Sequence, residues 1–348
     1  MKKILIVGQG IAGTCMGFAL LKKNVDVTWI DQPSMSQASR IASGLYNPIV
    51  LKRMRMVHLA EAFLSNMDTF YTDLESFIDE KIFFPSNIYR VIHDAEEQNN
   101  WYNLKDNQKW SAFLGNITKD DNVINVPYGL GVVQQTGWCN TRLMIESFRE
   151  KMKENIIEQP FEIEQISIDK DVVRFNNKTY DAVVFAEGWR AAKNNPFYPN
   201  DVFRPAKGEL LTIELDQDKA FEKILHFKHF LIPLEKKGLY KTGATYVHGD
   251  LSEQITDNSK TELLNSLTTV YDGSVKTVQQ DAGIRAATKD RKPIIGQHPK
   301  YNNVYFLNGL GSRSILMAPY LSQSLVDLML NQKPVDASID INRFTFST

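Results

Sequence analysis

The sequence contains very little cysteine, with only Cys15 and Cys139 among its 348 residues. Two cysteines are too few for the disulfide framework that stabilises many small secreted proteins. This scarcity is typical of a protein that works in a reducing compartment, and we expect a cytoplasmic location. Cys139 follows Trp138 directly, but an unpaired buried cysteine is commoner than a redox-active one, and we interpret Cys139 in that way.

Long apolar runs and an excess of one charge are absent as well. Glycines interrupt the apolar start of the chain within residues 1–13 and no small-residue cleavage site follows, which argues against a signal peptide. No segment has the roughly 18 consecutive apolar residues that a membrane-spanning helix needs. The formal net charge of −1 provides no general attraction for nucleic acid or an anionic membrane. The 6 histidines lack ligand spacing, so we expect no metal site.

The composition is otherwise that of a globular protein, with 43% hydrophobic and 23% charged residues. A chain of this length exceeds one average domain, so we expect two. Nucleotide-type elements at the start, middle and end alternate with β-rich segments, which predicts an α/β fold with a discontinuous Rossmann domain and an inserted β-rich domain. The predicted boundaries are 1–80, 140–205 and 283–348 for the first domain, and 81–139 and 206–282 for the second. Helical patterns occur at 58–78, 140–156, 259–271 and 318–331.

The start of the chain has a complete βαβ pattern. "KILIVG" is a continuous apolar run typical of a strand buried on both faces, helical spacing follows, and "NVDVTWID" is again strand-like. Gly8, Gly10 and Gly13 lie between the first strand and the helix in G-x-G-x-x-G spacing, which allows a tight turn, close approach of a pyrophosphate, and close packing of helix on strand. Asp31 ends the second strand, where a carboxylate binds ribose hydroxyls, so we predict a dinucleotide site.

This motif does not distinguish NAD from FAD. The following segment, "QPSMSQASRIASGLYNPIV" (32–50), is rich in serine, alanine and glycine. Small residues let the backbone lie against a long cofactor, and serine hydroxyls can reach phosphates. An ordinary surface loop has a similar composition, so composition alone leaves both interpretations open.

Four blocks of sequence, in order, resemble the D-amino-acid oxidase-like family of FAD-dependent oxidoreductases. They are "VGQGIAG", "SQASRIASGLYNP", "VVFAEGW" and the closing run "GIRAATKDRKPIIG…NVYFLNGLGSRSILMAPYLS". "KGELL" (207–211) and "KTGATY" (241–246) are similar to further blocks of this family. The resemblance spans essentially the whole chain. It implies a FAD-binding domain of the glutathione-reductase type, interleaved with a β-rich substrate domain.

The resemblance also implies which residues hold the cofactor. The "ASRIASG" loop should line the FAD diphosphate and ribityl chain, Phe161 should sit beside the adenine, and the "GLGSRSI" loop should bring backbone N–H groups near the pyrimidine oxygens of the flavin. Sarcosine oxidases attach FAD through a cysteine in the stretch equivalent to 282–297, which has none here, so we expect non-covalent FAD. The predicted cofactor-binding residues are Gly8, Gly10, Ile11, Ala12, Gly13, Asp31, Gln32, Ser39, Arg40, Ala42, Ser43, Gly44, Phe161, Ala186, Glu187, Gly188, Gly309, Gly311, Ser312, Arg313, Ser314 and Ile315.

The reaction of this family removes a hydride from the carbon that bears an amine, and water hydrolyses the resulting imine. By resemblance, Arg285 binds the substrate carboxylate through two parallel charge-assisted hydrogen bonds, a geometry that lysine cannot reproduce. The default for an isolated arginine is a surface charge, which is the alternative for Arg285. Tyr246 is expected to border the pocket. Arg313 either faces the site or pairs with a structural carboxylate.

Two departures from glycine oxidases affect the substrate. A tyrosine of those enzymes is replaced by Phe230, and Arg313 stands one residue from their arginine. "KGELL" and "GLGSRS" are closer to the oxidase module of the enzyme that modifies the tRNA wobble uridine. "LKRMRM" (51–56) either attracts an anionic substrate to the entrance or is a solvated helix start.

Three functional hypotheses follow. The first is a FAD-dependent oxidoreductase that oxidises the C–N bond of a small amino acid or secondary amine. The second is an oxidase acting on a carboxymethylaminomethyl-type group of modified tRNA, against which the neutral charge of the chain counts. The third is a catalytically weak flavin-binding protein.

Overall fold

A parallel sheet organises one part of the molecule. The computed structural model describes residues 2–32, 38–119, 124–170, 172–216 and 220–346. Within these residues, six strands form this sheet in the spatial order Ile156–Ile157, Asp26–Ile30, Lys3–Val7, Ala182–Phe185, Val304–Asn308 and Ile294–Gln297. Neighbouring strands run parallel except for the last pair, which is antiparallel.

The strand Lys3–Val7 is apolar from Ile4 onward because both faces of its sheet are covered. Ile4 and Ile6 belong to a core on one side, where the helix Ile11–Leu21 packs against the long helix Ser314–Asn331. Leu5 and Val7 belong to a core on the other side. The strands of a small antiparallel sheet that contribute to this second core are Ile166–Ile168, Val173–Phe175 and Lys178–Tyr180. A strand covered in this way loses the alternation of apolar and polar residues.

A larger, mainly antiparallel sheet forms the second part. Its strands lie in the order Val247–His248, Ala206–Leu215, Leu239–Gly243, Phe230–Pro233, Ile224–His226, Ile88–Val91, Leu130–Val133 and Leu114–Thr118, and Val275–Arg285 also pairs with Ala206–Leu215. Leu211 and Ile213 pack in one core with Leu263 of the helix Asp257–Leu267. Gly208 and Leu210 alternate with them and face the opposite side, where a cleft lies.

Smaller sheets and further helices lie outside the two large sheets. Small sheets are formed by Leu45–Tyr46, Gly137–Cys139 and Phe83–Pro85, and by Ile49–Val50 with Arg55–Met56. The further helices are Ala38–Ile41, Ala60–Leu64, Met67–Ile78, Ala95–Lys105, Thr141–Lys151 and Ala191–Asn194. Single 3₁₀ turns occur at Leu51–Arg53, Lys153–Asn155, Ile163–Gln165, Gly188–Arg190 and Ile341–Arg343.

Several predicted helix bounds were wrong. The pattern at 58–78 is two helices, because the chain leaves helical geometry at Asn66, which has φ −130°. The closing helix begins at Ser314 rather than at residue 318, with Pro319 inside it. The helix Ala95–Lys105 was missed because its surface is mostly polar. Its start was nevertheless signalled by Asp94, whose carboxylate accepts a hydrogen bond from the backbone N–H of Glu97.

The predicted domain boundaries stay a prediction, and the one between 282 and 283 falls inside the strand Val275–Arg285. Cys15 and Cys139 are both buried and unpaired, and burial raises the pKa of the Cys139 thiol well above its ordinary value. A redox role for Cys139 is therefore disfavoured, as we interpreted it. No helix in the described ranges is long and apolar enough to cross a membrane.

Candidate active site

A cleft of about 490 Å³ lies between the parallel sheet and the large antiparallel sheet. Segments that are far apart in the sequence line it, including the glycine-rich turn, the loop after residue 38, and the end of the strand Val275–Arg285. Most of the predicted site residues line this cleft. They are Gly8, Gly10, Ile11, Ala12, Asp31, Ser39, Ala42, Ser43, Gly44, Ala186, Glu187, Gly188, Tyr246, Arg285, Gly311, Ser312, Arg313, Ser314 and Ile315.

The glycine-rich turn has the close packing that its spacing predicts. A Cβ atom at Gly13 would lie 1.8 Å from the carbonyl oxygen of Gly8, so the helix can begin directly at the end of the first strand only because residue 13 is glycine. The N-cap residue Gly10 offers no side-chain acceptor, and the backbone N–H of Ile11 donates to the Ser39 hydroxyl at 3.2 Å. Gly10, Ile11 and Ala12 line the cleft, so the positive N-terminal end of this helix lies at the cleft, where an anion is favoured.

The carboxylate of Asp31 is held by contacts that the sequence did not reveal. One oxygen accepts a hydrogen bond from the backbone N–H of Gln9 at 3.0 Å, and the other pairs with Arg149 at 3.0 Å. Arg149 also donates to the side-chain oxygen of Gln9 and pairs with Glu158. Arg149 lies 118 residues from Asp31, so no local pattern relates the two. These contacts fix the orientation of the Asp31 carboxylate at the edge of the cleft.

Some predicted cofactor residues do not line the cleft. Arg40 instead lines a neighbouring cavity of about 470 Å³ and pairs with Glu146 at 3.5 Å. Phe161 packs against the rings of Phe175 and Phe185, at centroid distances of 6.4 and 6.0 Å. The predicted residues outside the lining are Gly13, Gln32, Arg40, Phe161 and Gly309. The residues at 36 and 37, which open the "SQASRIASGLYNP" block, lie outside the described residues.

Glu187 follows the central strand Ala182–Phe185 and carries a carboxyl group with a shifted pKa. Burial raises the pKa of Glu187 to about 7, and a hydrogen bond from the Asn195 amide at 2.7 Å opposes this rise. His226, on the other side of the cleft, has the opposite shift, since burial and then the nearby Arg90 lower its pKa to about 3. Both shifts reduce the charge that these two groups carry near neutral pH.

Arg285 is the last residue of its strand, and its guanidinium group is fixed against the neighbouring strand. Ala206 is its strand partner, and a Cβ atom at Gly208 would lie 2.2 Å from an Nη atom of Arg285. One Nη atom donates to the carbonyl oxygens of Thr245 at 3.2 Å and Lys207 at 3.4 Å. Burial lowers the pKa of Arg285, and no carboxylate of the described residues pairs with it. Its charge is therefore left for a ligand.

Tyr246 lies beside this arginine at the mouth of the cleft. The Arg285 guanidinium carbon is 5.2 Å from the centre of the Tyr246 ring, and the tyrosine is 50% exposed. Phe230 also lines the cleft and supplies no hydroxyl group there. Lys52 of the "LKRMRM" segment lines the cleft, as the attraction of an anionic substrate would require. Lining residues that sequence reasoning did not assign to the site include Asn47, Trp189, Arg190, Gly208, His226, His229, Gly243, Ala244 and Asn308.

A buried polar network lies directly behind Arg285. Lys207 and Glu209 are each 1% exposed, and their charged atoms are 3.7 Å apart. Lys207 pairs with Asp250 at 2.8 Å, while Glu209 accepts hydrogen bonds from both the backbone N–H and the hydroxyl of Thr256, each at 2.8 Å. Asp250 and Thr256 belong to the segment after Tyr246, so the network ties that segment to the strand Ala206–Leu215. "KGELL" was recognised as a family-like block, but no local pattern explained its two charges.

Comparison with curated proteins places the chain among flavoenzymes. The profile of the family described as FAD dependent oxidoreductase (DAO) matches residues 3–328. Glycine oxidase from Bacillus subtilis is 32% identical over 155 residues, which cover 43% of this chain and 42% of that enzyme. The tRNA 5-methylaminomethyl-2-thiouridine biosynthesis bifunctional protein MnmC from Leptospira interrogans is 22% identical, over 97% of this chain and 59% of that protein. The matches thus span about half the length of these relatives.

Solved structures agree at the level of the fold. Glycine oxidase from Geobacillus kaustophilus has a TM-score of 0.82 at 18% identity, covering 99% of this chain and 100% of that one. Glycine oxidase from Bacillus cereus has a TM-score of 0.79 at 20% identity, covering 96% of each chain. The predicted α/β fold class, with a Rossmann-type FAD-binding part, is confirmed. Because the family profile covers nearly the whole chain, this protein belongs to the DAO family of FAD-dependent oxidoreductases.

Proposed function

We propose that this protein binds FAD non-covalently in the cleft and oxidises the C–N bond of a small amino acid or secondary amine. The observation that carries the proposal is Arg285, a guanidinium group fixed at the cleft with no carboxylate partner among the described residues. Such a group favours a ligand with a carboxylate, since it leaves a charge to be compensated. Both cysteines, Cys15 and Cys139, are buried in the core and absent from the lining of this cleft, which supports non-covalent binding.

The residues that line the cleft fit FAD. The glycine-rich turn and the N-terminus of the helix Ile11–Leu21 provide backbone N–H groups for the diphosphate. Asp31, oriented by Arg149 and Gln9, is suited to the ribose hydroxyls. The backbone of the loop 309–315 would lie against the flavin ring. When bound, FAD supplies the acceptor for a hydride.

The residues of the chain would then position the amine. Arg285 holds the substrate carboxylate through two parallel hydrogen bonds, and the carbonyl oxygens of Lys207 and Thr245 fix the plane of its guanidinium group. A fixed carboxylate orients the amine-bearing carbon, whose hydride leaves while the nitrogen lone pair forms the C=N bond. Water hydrolyses this imine to a carbonyl compound and the freed amine. Tyr246 closes the outer side of the site.

The position of Arg285 is tested by changing its neighbour. Gly208→Ala places a Cβ atom 2.2 to 2.4 Å from the guanidinium atoms of Arg285, so this flexible side chain has to move. We expect a loss of up to about 100-fold in kcat/KM for carboxylate-bearing amines, as for a misplacement of roughly 1 Å. Steady-state kinetics measures this. The flavin content and the melting temperature of the variant should stay near the native values. A similar loss for an amine without a carboxylate would contradict the role of Arg285 in binding the carboxylate.

A second candidate is oxidation of a carboxymethylaminomethyl-type group on tRNA. It is supported by the match to MnmC, which extends over 97% of this chain. Phe230 supports it as well, because a site that lacks the tyrosine of glycine oxidases departs from those enzymes. The net charge of −1 counts against binding of a polyanion.

Anaerobic reduction of the flavin distinguishes these functions. The purified protein should be yellow, and acid should release its flavin. Mixing with a panel of amino acids and N-methyl amines should bleach the flavin with at least one compound. Bleaching by modified tRNA alone would establish the second candidate, and no bleaching at all would indicate a catalytically weak flavin-binding protein. A colourless protein that binds NAD would overturn the proposal.

A further inference from the structure

The cationic side chains in and near the cleft outnumber the single negative charge of one substrate carboxylate. Besides Arg285, four cationic side chains lie in the lining of the cleft or near Arg313, without an ion pair to any described residue: Lys52, Arg55, Arg291 and Arg313. We refer to these four residues as the outer cluster. Lys52 and Arg313 line the cleft itself. Arg55 lies in the hairpin formed by Ile49–Val50 and Arg55–Met56, whose residues Ile49 and Val50 also line the cleft.

Backbone hydrogen bonds hold the loop of Arg313 and the turn of Arg291 close to Arg285. The N–H of Gly311 donates to the carbonyl oxygen of Ala286 at 3.1 Å, so the loop that carries Arg313 is bonded to the residue after Arg285. Arg291 follows in the same turn, where its N–H donates to the carbonyl oxygen of Thr288. Burial lowers the pKa of Arg313, and Arg291 and Arg55 lower it further by repulsion. These cations therefore act on one another across a short distance.

Carboxylates near the cleft do not compensate this charge. Asp31 pairs with Arg149, and Asp290, in the turn next to Arg291, pairs with Arg343 at 2.8 Å. Glu187 is only partly ionised near neutral pH, because burial raises its pKa to about 7. In the proposed binding mode the FAD diphosphate lies at the glycine-rich turn and leaves the outer cluster unpaired. A group of like charges without counterions stores unfavourable free energy, which an anionic ligand would release.

We propose that the outer cluster is a second anion subsite and that the substrate is an amine with two anionic groups. Arg285 holds one carboxylate, and Arg313, with Lys52, Arg55 and Arg291 around it, holds the second group, a carboxylate or a phosphate. This inference rests on the proposed function. Arg285 is hydrogen-bonded to two carbonyl oxygens and has one fixed orientation. Arg313 has no side-chain hydrogen bond to a described residue, so it can turn toward anions of different size.

Binding of unreactive acids to the FAD-loaded protein tests this subsite without turnover. Butyrate and succinate have the same chain length, but succinate has a second carboxylate, and 3-phosphonopropionate has a phosphonate at that end. Titration followed by the visible absorbance of the flavin gives each Kd. We expect both dianions to bind at least about 10-fold more tightly than butyrate, as for one added charge-assisted contact. A preference for one dianion over the other identifies the second group.

Variants of Arg313 then test whether this residue causes the tighter binding of succinate. Arg313→Gln should abolish the advantage of succinate over butyrate while the Kd of butyrate changes less than about twofold. Arg313→Lys should keep part of the advantage, since it keeps the charge. The matched control is Arg174→Gln. It removes an arginine that pairs with Asp169 and does not line the cleft, so it should change neither Kd.

Two results would contradict the second anion subsite without contradicting the proposed function. Equal binding of butyrate and succinate would show that no second subsite exists. A change in the spectrum of the ligand-free flavin in Arg313→Gln, with the succinate advantage intact, would show that Arg313 serves the flavin. A flavin spectrum that responds to none of the three acids would instead contradict the role of Arg285 and hence the proposed function itself.

Discussion

The Arg285→Gln variant is expected to lose roughly 30-fold to 5,000-fold in kcat/KM for a carboxylate-bearing amine, with its flavin retained. This range corresponds to about 2–5 kcal/mol, the usual cost of removing one partner from a buried charge pair. The physical reason is that glutamine offers neither the positive charge nor the two parallel N–H groups that a carboxylate binds. Steady-state and anaerobic stopped-flow kinetics measure the loss.

Two controls separate the charge of Arg285 from its shape. Arg285→Lys keeps the charge but lacks the planar fork, so it should recover only a small part of the lost activity. An amine without a carboxylate should react with the native protein and with Arg285→Gln at similar rates, both of them low. If the kinetics of Arg285→Gln are unchanged, Arg285 does not bind the substrate and is better interpreted as a surface charge.

The Glu209→Leu variant is expected to lose about 3–5 kcal/mol of unfolding free energy, because it breaks a buried charged network. Glu209 accepts hydrogen bonds from the Thr256 N–H and hydroxyl at 2.8 Å and from the Gln280 amide at 2.7 Å, and Lys207 lies 3.7 Å away. Leucine leaves all these donors without their acceptor in a site that is 1% exposed. Urea denaturation of the FAD-loaded protein measures the change.

The same strand supplies a matched control. Glu214→Leu removes a carboxylate that is 32% exposed and lies 3.7 Å from Lys276, an interaction of the kind that contributes about 0–1 kcal/mol. If both variants lose equally little, the buried network does not stabilise the fold. Because the network also ties the segment after Tyr246 to the strand beside Arg285, Glu209→Leu should raise KM for carboxylate-bearing amines, whereas Glu214→Leu should not.

The elements predicted well from the sequence are those that depend on residues close to one another in the chain. The glycine spacing of residues 8–13 requires a strand, a turn and a helix in immediate succession, and the structure has the strand Lys3–Val7 and the helix Ile11–Leu21. The helix Ala95–Lys105 was missed because apolar periodicity is a poor guide to a helix that faces solvent. Its cap at Asp94 was a local signal that we overlooked.

The contacts that complete the site are not local. Asp31 pairs with Arg149 across 118 residues, and Arg285 is fixed against Gly208, which lies in a strand that precedes it by about seventy residues. The register that sets Ala206 opposite Arg285 places the guanidinium group against Gly208 and so determines its orientation. Registers between distant strands depend on the packing of whole sheets, so no short pattern reveals them.

The sequence by itself determined the α/β class, the dinucleotide turn with Gly8, Gly10 and Gly13, and the resemblance to a flavoenzyme family, because these depend on residue type and spacing. The tertiary structure decided which charged side chains are paired within the fold and which are left to bind a ligand. It buried Lys207 and Glu209 as a pair behind the site, and it left Arg285 and Arg313 without carboxylate partners among the described residues. A charge becomes structural or functional according to which groups the fold brings within a few ångströms of it, and that is a property of three-dimensional packing alone.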